Sequence, residues 1–151
     1  MAIALLLRKL ARLSRRRRRL LTGALAALTL STLALKLIPF SRLARWLGTS
    51  GQETPPQMPN QHEALARDIG WAVRAVAGRM PWKAECLVQA LAATLLARFR
   101  RLPSTLYLGV AYSNVGQLQA HAWLRCGSHI VTGNAGHERF KAVATFARTQ
   151  P

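Results

Sequence analysis

The sequence WKAECLVQALAATLLARF at residues 82–99 decides the fold, because it places Cys86 at the start of a long helix-forming run. Pro81 suits the opening turn of this helix, which we expect to continue to about Arg100. The apolar residues recur at helical spacing and predict one buried stripe, formed by Val88, Leu91, Leu95 and Phe99. We therefore expect a core helix with a cysteine near its first turn.

The sequence around this helix indicates an α+β domain. Upstream, Asn60 and Glu63 have the spacing of a capping box, and an apolar helical pattern follows until Gly78. Downstream the period changes to that of strands, at residues 106–112, 119–125 and 129–132. Residues 140–146 fit either a further strand or a final turn. Helices followed by a small antiparallel sheet give the α+β class.

Positive charge is concentrated in the N-terminal part of the chain. The 151 residues contain 22 Lys and Arg against 5 Asp and Glu, a net charge of +17, and eleven of these bases but no acid lie in residues 1–45. We expect a basic, apolar, helical lead-in at 1–48, a Gly- and Pro-rich linker at 49–59 and the main domain at 60–151. Two cysteines exclude a disulfide-stapled miniprotein or a four-cysteine zinc site.

The lead-in predicts a retained helix. Residues 20–35 are free of charge but shorter than the roughly 20 residues of a membrane span, and no clean signal-cleavage site follows them. The helix can pack on the domain or a partner, or contact a membrane surface from the cytoplasmic side. We expect a cytoplasmic protein. The run Arg15–Arg19 attracts polyanions, but no aromatic residues or recognition helix accompany it, so nucleic acid is not an expected partner.

Cys86 and His121 are the candidates for catalysis. A cysteine near a helix N-terminus is favoured as a thiolate by the helix dipole, and the thiolate then needs a base. Strand alternation places His121 on one face with Trp123 and Arg125. Composition alone favours core positions for both residues. The alternative to an enzyme is a non-catalytic, basic, membrane-associated scaffold or binding module.

The order W-x-x-x-C-L, then G-V, then H-A-W-L resembles the B proteins of lasso-peptide biosynthesis over about residues 25–146. These proteins are transglutaminase-like cysteine peptidases that remove the leader from a ribosomal precursor, and this chain resembles a split form with only the peptidase part. The resemblance implies a papain/transglutaminase-like core. Cys86 matches the nucleophile and His121 the general base, while Trp82 and Trp123 match motif positions that shape the substrate site.

The resemblance also implies a third residue that orients the imidazole, commonly an Asp one strand after the histidine. Here that region reads Ile-Val-Thr-Gly-Asn at residues 130–134. We predict Asn134 for this role, since an Asn side chain can accept a hydrogen bond from the imidazole. Thr132 and Glu138 are competitors. The second oxyanion donor stays open between Gln89 and an amide near Trp82.

Partners are implied by the same resemblance. They are the lasso precursor peptide, a separate leader-recognition protein and an asparagine-synthetase-like cyclase. No cofactor is expected. The positions of His121, Cys126, His129 and His137 match no compact zinc pattern, and alternation turns Cys126 to the opposite strand face from His121, so no metal is expected and Cys126 is predicted to fill the core.

Overall fold

The computed structural model describes Ala4, Arg8, Lys9 and residues 11–149. The remaining residues, at the ends of the predicted lead-in and main domain, lie outside this part. The helices are α1 Arg15–Leu37, α2 Phe40–Leu47, α3 Asn60–Ala77 and α4 Cys86–Phe99. The strands are β1 Thr49–Ser50, β2 Ser104–Tyr112, β3 Leu118–Cys126, β4 His129–Thr132 and β5 Lys141–Arg148, with a short 3-10 helix at His137–Arg139.

The strands form one antiparallel sheet in the order β1-β5-β2-β3-β4. The predicted α+β class is confirmed. All three predicted strands are present, and residues 140–146, which fitted either a strand or a turn, lie almost entirely in β5. This strand joins the sheet between β1 and β2, so it pairs on both sides and is fixed by the backbone hydrogen bonds of its neighbours.

Helix α4 is the centre of the core, between the sheet and helices α1 and α3. Its fully buried residues are mostly alanines, since backbones that approach from several sides leave little room for larger side chains. The predicted buried stripe is therefore only partly correct. Leu91 is buried and Val88 and Leu95 are half-buried, but Phe99 is 83 % exposed because it lies at the helix end, beyond the cover of the sheet.

The starts of two helices differ from the sequence-based predictions. Asn60 is the first residue of α3 and its side chain forms no capping hydrogen bond; Pro59 precedes it, and Glu63 instead accepts a hydrogen bond from Ser128 across the structure. The predicted capping box is therefore wrong. Pro81 does not open α4, which begins only at Cys86. The cysteine is consequently the first residue of its helix, closer to the helix end than expected.

Helix α1 shares this core. Leu20, Ala24 and Leu28 are fully buried, and the helix packs on α3 and α4. At its basic start, Arg16 and Arg17 approach the carboxylate of Asp68 at 3.0 and 3.7 Å. By length and composition alone, α1 could cross a membrane, but 28 % of its apolar window is buried inside the protein. Helix α1 is therefore partly buried like a core helix, and it also has the length and apolar composition of a membrane anchor.

The segment predicted as a linker is attached to the sheet. Thr49 and Ser50 pair with β5 as strand β1. Further along, the Arg125 guanidinium donates to the Thr54 carbonyl at 2.8 Å and to the Tyr107 hydroxyl at 2.9 Å. The Tyr107 hydroxyl in turn donates to Glu53 at 2.7 Å, and burial, followed by this hydrogen bond, raises the pKa of Tyr107. These bonds hold the segment in one conformation.

Candidate active site

Cys86 occupies the positive end of α4. The first backbone N–H groups of a helix have no intrahelical partner and point out of its N-terminus. The preceding residue, Glu85, does not cap this end with its side chain, so the amides stay available to an anion. Cys86 is half-buried, which leaves its sulfur accessible from one side. The free amides of a helix N-terminus can stabilise an anionic oxygen held beside Cys86.

His121 lies near the middle of β3 and has a defined tautomer. Its Nε2 is 2.7 Å from the backbone carbonyl oxygen of Gly133. A carbonyl can only accept a hydrogen bond, so Nε2 must carry the hydrogen and donate it. In the neutral imidazole the other nitrogen, Nδ1, is then unprotonated and free to act as a base. The Gly133 carbonyl thus contacts the imidazole at the nitrogen for which the sequence analysis predicted an Asn134 side-chain partner.

One cleft contains both candidates. It has a volume of about 540 Å³ and lies between the start of α4, the middle of β3 and the turn after β4. Its walls include Cys86, His121 and Asn134, so the three predicted catalytic residues line the same cleft. Asn134 directly follows the carbonyl that contacts Nε2. Thr132 is fully buried, and its hydroxyl has no hydrogen-bond partner among the described residues.

Trp123 packs against the imidazole ring of His121. Its ring lies 5.9 Å from the His121 ring and stacks on Tyr107 at 5.2 Å. Two glycines make room for it. A Cβ on Gly109 would lie 2.7 Å from the Trp123 ring, and a Cβ on Gly133 would lie 2.8 Å from the Trp123 Cβ. Gly133 also has a φ of 76°, which disfavours other residues. Trp123 therefore packs behind the site.

Replacement of Gly109 by alanine is expected to destabilise the protein by about 1 to 3 kcal/mol, because the added methyl group collides with the Trp123 ring. Thermal unfolding measures this. Gly78→Ala is the matched control, since Gly78 ends α3 with a helical φ of −67° and the nearest atom to an added Cβ is 3.5 Å away. An unchanged unfolding midpoint in Gly109→Ala would show that the Trp123 ring can move away from the added methyl group.

Trp82 lies in a second depression of about 640 Å³ next to the cleft. Its indole N–H donates to the Thr32 hydroxyl at 3.2 Å, and this hydrogen bond attaches the Trp82 ring to helix α1. Arg74, Ala84 and Gln89 line both depressions and join them into one groove. One donor of the Gln89 amide already bonds the Ala84 carbonyl at 2.8 Å.

The cleft carries positive charge that sequence reasoning missed. Arg74 lies in its wall and donates to the Val131 carbonyl at 2.7 Å. The pKa of the neighbouring His129 is lowered by burial, and then by Arg67 and Arg74, while Glu63 acts in the opposite direction. His129 is therefore held neutral near physiological pH. No sequence signal distinguished Arg74, because it lies within an ordinary helical pattern.

The second cysteine differs from the first. Cys126 is fully buried in the core beside Leu124. Burial raises its pKa to about 12, an effect that nearby Arg125 partly opposes. It is therefore a neutral thiol at physiological pH, and its burial confirms the prediction that Cys126 fills the core. Across residues 11–149, no three His, Cys, Asp or Glu side chains are grouped as a metal site requires.

A cysteine at the start of a core helix and a histidine on an adjoining antiparallel strand are the arrangement of enzymes that form thioester intermediates. The chain belongs to the transglutaminase-like superfamily, whose profile matches residues 34–145. This superfamily includes cysteine peptidases and transglutaminases. No curated protein and no solved structure gives a significant match to the chain.

Proposed function

We propose that this protein is a cysteine peptidase that removes the leader from a lasso-peptide precursor. The observation that supports this most strongly is the cleft shared by Cys86 and His121. Membership of the superfamily supports a thioester mechanism, and the motif order shared with lasso B proteins supports the leader peptide as substrate. The proposed partners are the precursor, a separate leader-recognition protein and an asparagine-synthetase-like cyclase.

The reaction begins with transfer of the Cys86 thiol proton to Nδ1 of His121. The thiolate attacks the carbonyl carbon of the peptide bond between leader and core, and forms a tetrahedral intermediate. The imidazolium then protonates the leaving nitrogen, the C–N bond breaks, and the core peptide departs with a free amino terminus. His121 next takes a proton from water, whose hydroxide attacks the thioester. The leader leaves as a carboxylic acid and Cys86 is regenerated.

The oxyanion forms beside the positive end of α4. The backbone N–H of Cys86 is one donor, since it has no intrahelical partner. We propose Gln89 as the second, because its amide lies one turn further along α4 and lines the cleft. Its bond to the Ala84 carbonyl uses one of two amide hydrogens and fixes the orientation of the group. Trp82 and Arg74 then line the groove that leads the substrate to the sulfur.

Asn134 is proposed as the third residue of the site. Because the Gly133 carbonyl already holds Nε2 of the imidazole, we expect Asn134→Ala to lower kcat by only about tenfold, less than loss of the base itself. Steady-state cleavage of the precursor measures this. The control is Asn114→Ala in the turn between β2 and β3, which should leave kcat unchanged. A loss as large as that of a His121 variant would assign the orienting function to Asn134 alone.

The experiment that tests the proposed function is mass analysis of a lasso precursor after incubation with the full chain, with and without a leader-recognition protein. Two products are expected, the intact leader acid and the core with a free amino terminus. Adding a primary amine distinguishes hydrolysis from acyl transfer, because a transglutaminase would convert the leader to an amide of that amine. An unchanged precursor in every mixture would refute leader cleavage.

A further inference from the structure

The outer face of α1 is unusually apolar. Its inner stripe packs in the core, but leucines on the opposite side remain exposed at Leu25, Leu30, Leu33 and Leu37. Leu30 is 59 % and Leu37 78 % exposed. Leu30, Leu33 and Leu37 lie on one side of the helix, whereas Leu25 is turned about 140° away from Leu30, with exposed Lys36 between the two positions. Single exposed apolar residues are ordinary, but three neighbouring exposed leucines on one face mark a surface that can contact another apolar layer.

This face continues into the surface groove between α1 and α4, which we call the crease. An apolar depression of about 410 Å³ lies between α1, α2 and α4, with Ile38, Trp46 and Leu95 in its walls. A second depression of about 650 Å³ lies where α1 begins and α4 ends, and it includes the exposed ring of Phe99. Leu95 and Phe99 are one helical turn apart on α4, so the two depressions lie along the same side of that helix.

Basic residues border the apolar surface at both ends. At the start of α1, Arg16, Arg19 and Arg100 line the depression that contains Phe99. At the other end, Arg42 lines the apolar depression beside Trp46. None of the described residues that line the two depressions is acidic. A partner for this surface must therefore offer an apolar layer together with negative charge.

We propose that the outer face of α1 and the crease beside α4 dock on an anionic lipid bilayer, with α1 lying flat in the interface. A bilayer supplies the apolar and the anionic layer at once, and clustered Lys and Arg are attracted to acidic lipids. The leucines and Phe99 enter the boundary of the acyl chains. Arg19, Arg42 and Arg100 contact lipid phosphates, and the depression beside Phe99 takes a headgroup. Because its inner stripe remains in the core, α1 does not span the membrane.

Docking in this way places the lipid-facing ring of Phe99 at the opposite end of α4 from Cys86. Cys86 and Phe99 are the two ends of α4, which separates them by about 20 Å along the helix axis. The cleft therefore lies at the end of α4 away from the lipid-facing ring. The proposal does not depend on the peptidase activity, since it rests only on the surface of α1, α2 and the end of α4.

The test is co-sedimentation of the full chain with lipid vesicles. We expect binding to vesicles of equimolar phosphatidylglycerol and phosphatidylcholine, no binding to phosphatidylcholine alone, and weaker binding at high salt. The variant Leu30→Gln/Leu33→Gln/Leu37→Gln should bind at least about tenfold more weakly. Replacing Arg19 and Arg100, which line the depression beside Phe99, by Gln should cost about fivefold for each residue.

The matched control is Leu118→Gln/Val143→Gln, which removes two apolar residues of similar exposure, 62 % and 61 %, from the sheet instead. This variant should bind vesicles like the wild type. If the triple variant unfolds, the single change Leu37→Gln makes the same comparison with a smaller effect. Thermal unfolding of each variant establishes that the fold is intact.

Three results would overturn the proposal. Vesicle binding that is insensitive to the leucines would show a nonspecific attraction of the arginines for polyanions. Absence of vesicle binding, together with a dimer that the leucine variant dissociates, would assign the face to a second copy of the chain. Absence of vesicle binding, with loss of response to a leader-recognition protein in the leucine variant, would assign it to a protein partner.

Discussion

Cys86→Ala is expected to abolish precursor cleavage, with a loss in kcat of about 10⁴-fold or more, because no other group can form the thioester. The protein should stay folded, since Cys86 is only half-buried and begins its helix without a capping role. Mass analysis of the precursor measures the activity, and thermal unfolding measures the stability. Retained cleavage in this variant would refute a Cys86 nucleophile.

Cys126→Ala is the matched control and should behave in the opposite way. Its thiol is fully buried in the core, so truncation leaves a small cavity that lowers the free energy of unfolding by about 1 to 2 kcal/mol. Because Cys126 does not line the cleft, kcat should be unchanged at a temperature where the variant is folded. If Cys86→Ala were instead the destabilised variant, with both cysteines dispensable for cleavage, the scaffold interpretation would be favoured over the enzyme.

The second large effect is expected for His121→Gln, which should lower kcat by about 10³-fold or more because the general base is lost. Glutamine is chosen because its amide N–H can still donate to the Gly133 carbonyl, as Nε2 does now. The variant thus separates the base from the structural hydrogen bond. We expect an unfolding midpoint near that of the wild type.

His121→Ala provides the comparison. It removes the base, the hydrogen bond to Gly133 and the ring contacts with Trp123 and Phe140. We expect the same loss of activity as in His121→Gln, together with a lower unfolding midpoint. Near-normal cleavage by His121→Gln would show that the histidine orients the cleft but does not transfer protons.

Much of the fold could be predicted from local sequence. The periods of 3.6 and 2 residues identified the helices and strands around Cys86 and His121, because these patterns reflect which side of each element is buried. The exposure of Phe99 could not be predicted, since it depends on where α4 projects beyond the sheet. The start of α4 at Cys86 was also missed, because Pro81 is compatible with an earlier start.

Candidate residues could be proposed from the sequence where the chemistry would lie in side chains. Cys86 and His121 were proposed from residue type, position and the family resemblance, and both line one cleft in the structure. The contact to the imidazole from the Gly133 carbonyl was not identified, since every residue has a carbonyl and only the folded turn selects this one. The glycine at position 133 indicated a turn, in which its φ is positive, but sequence alone does not connect that turn with His121.

The most direct measurement of the central claim is the alkylation rate of Cys86 by iodoacetamide as a function of pH, in the wild type and in His121→Gln. If Nδ1 of His121 takes the thiol proton, the wild type should react at least about tenfold faster than the variant near pH 6, and the two rates should converge at alkaline pH. Cys126, with its raised pKa and full burial, should stay unlabelled throughout. Superimposable pH profiles for wild type and variant would contradict a thiolate held by the imidazole.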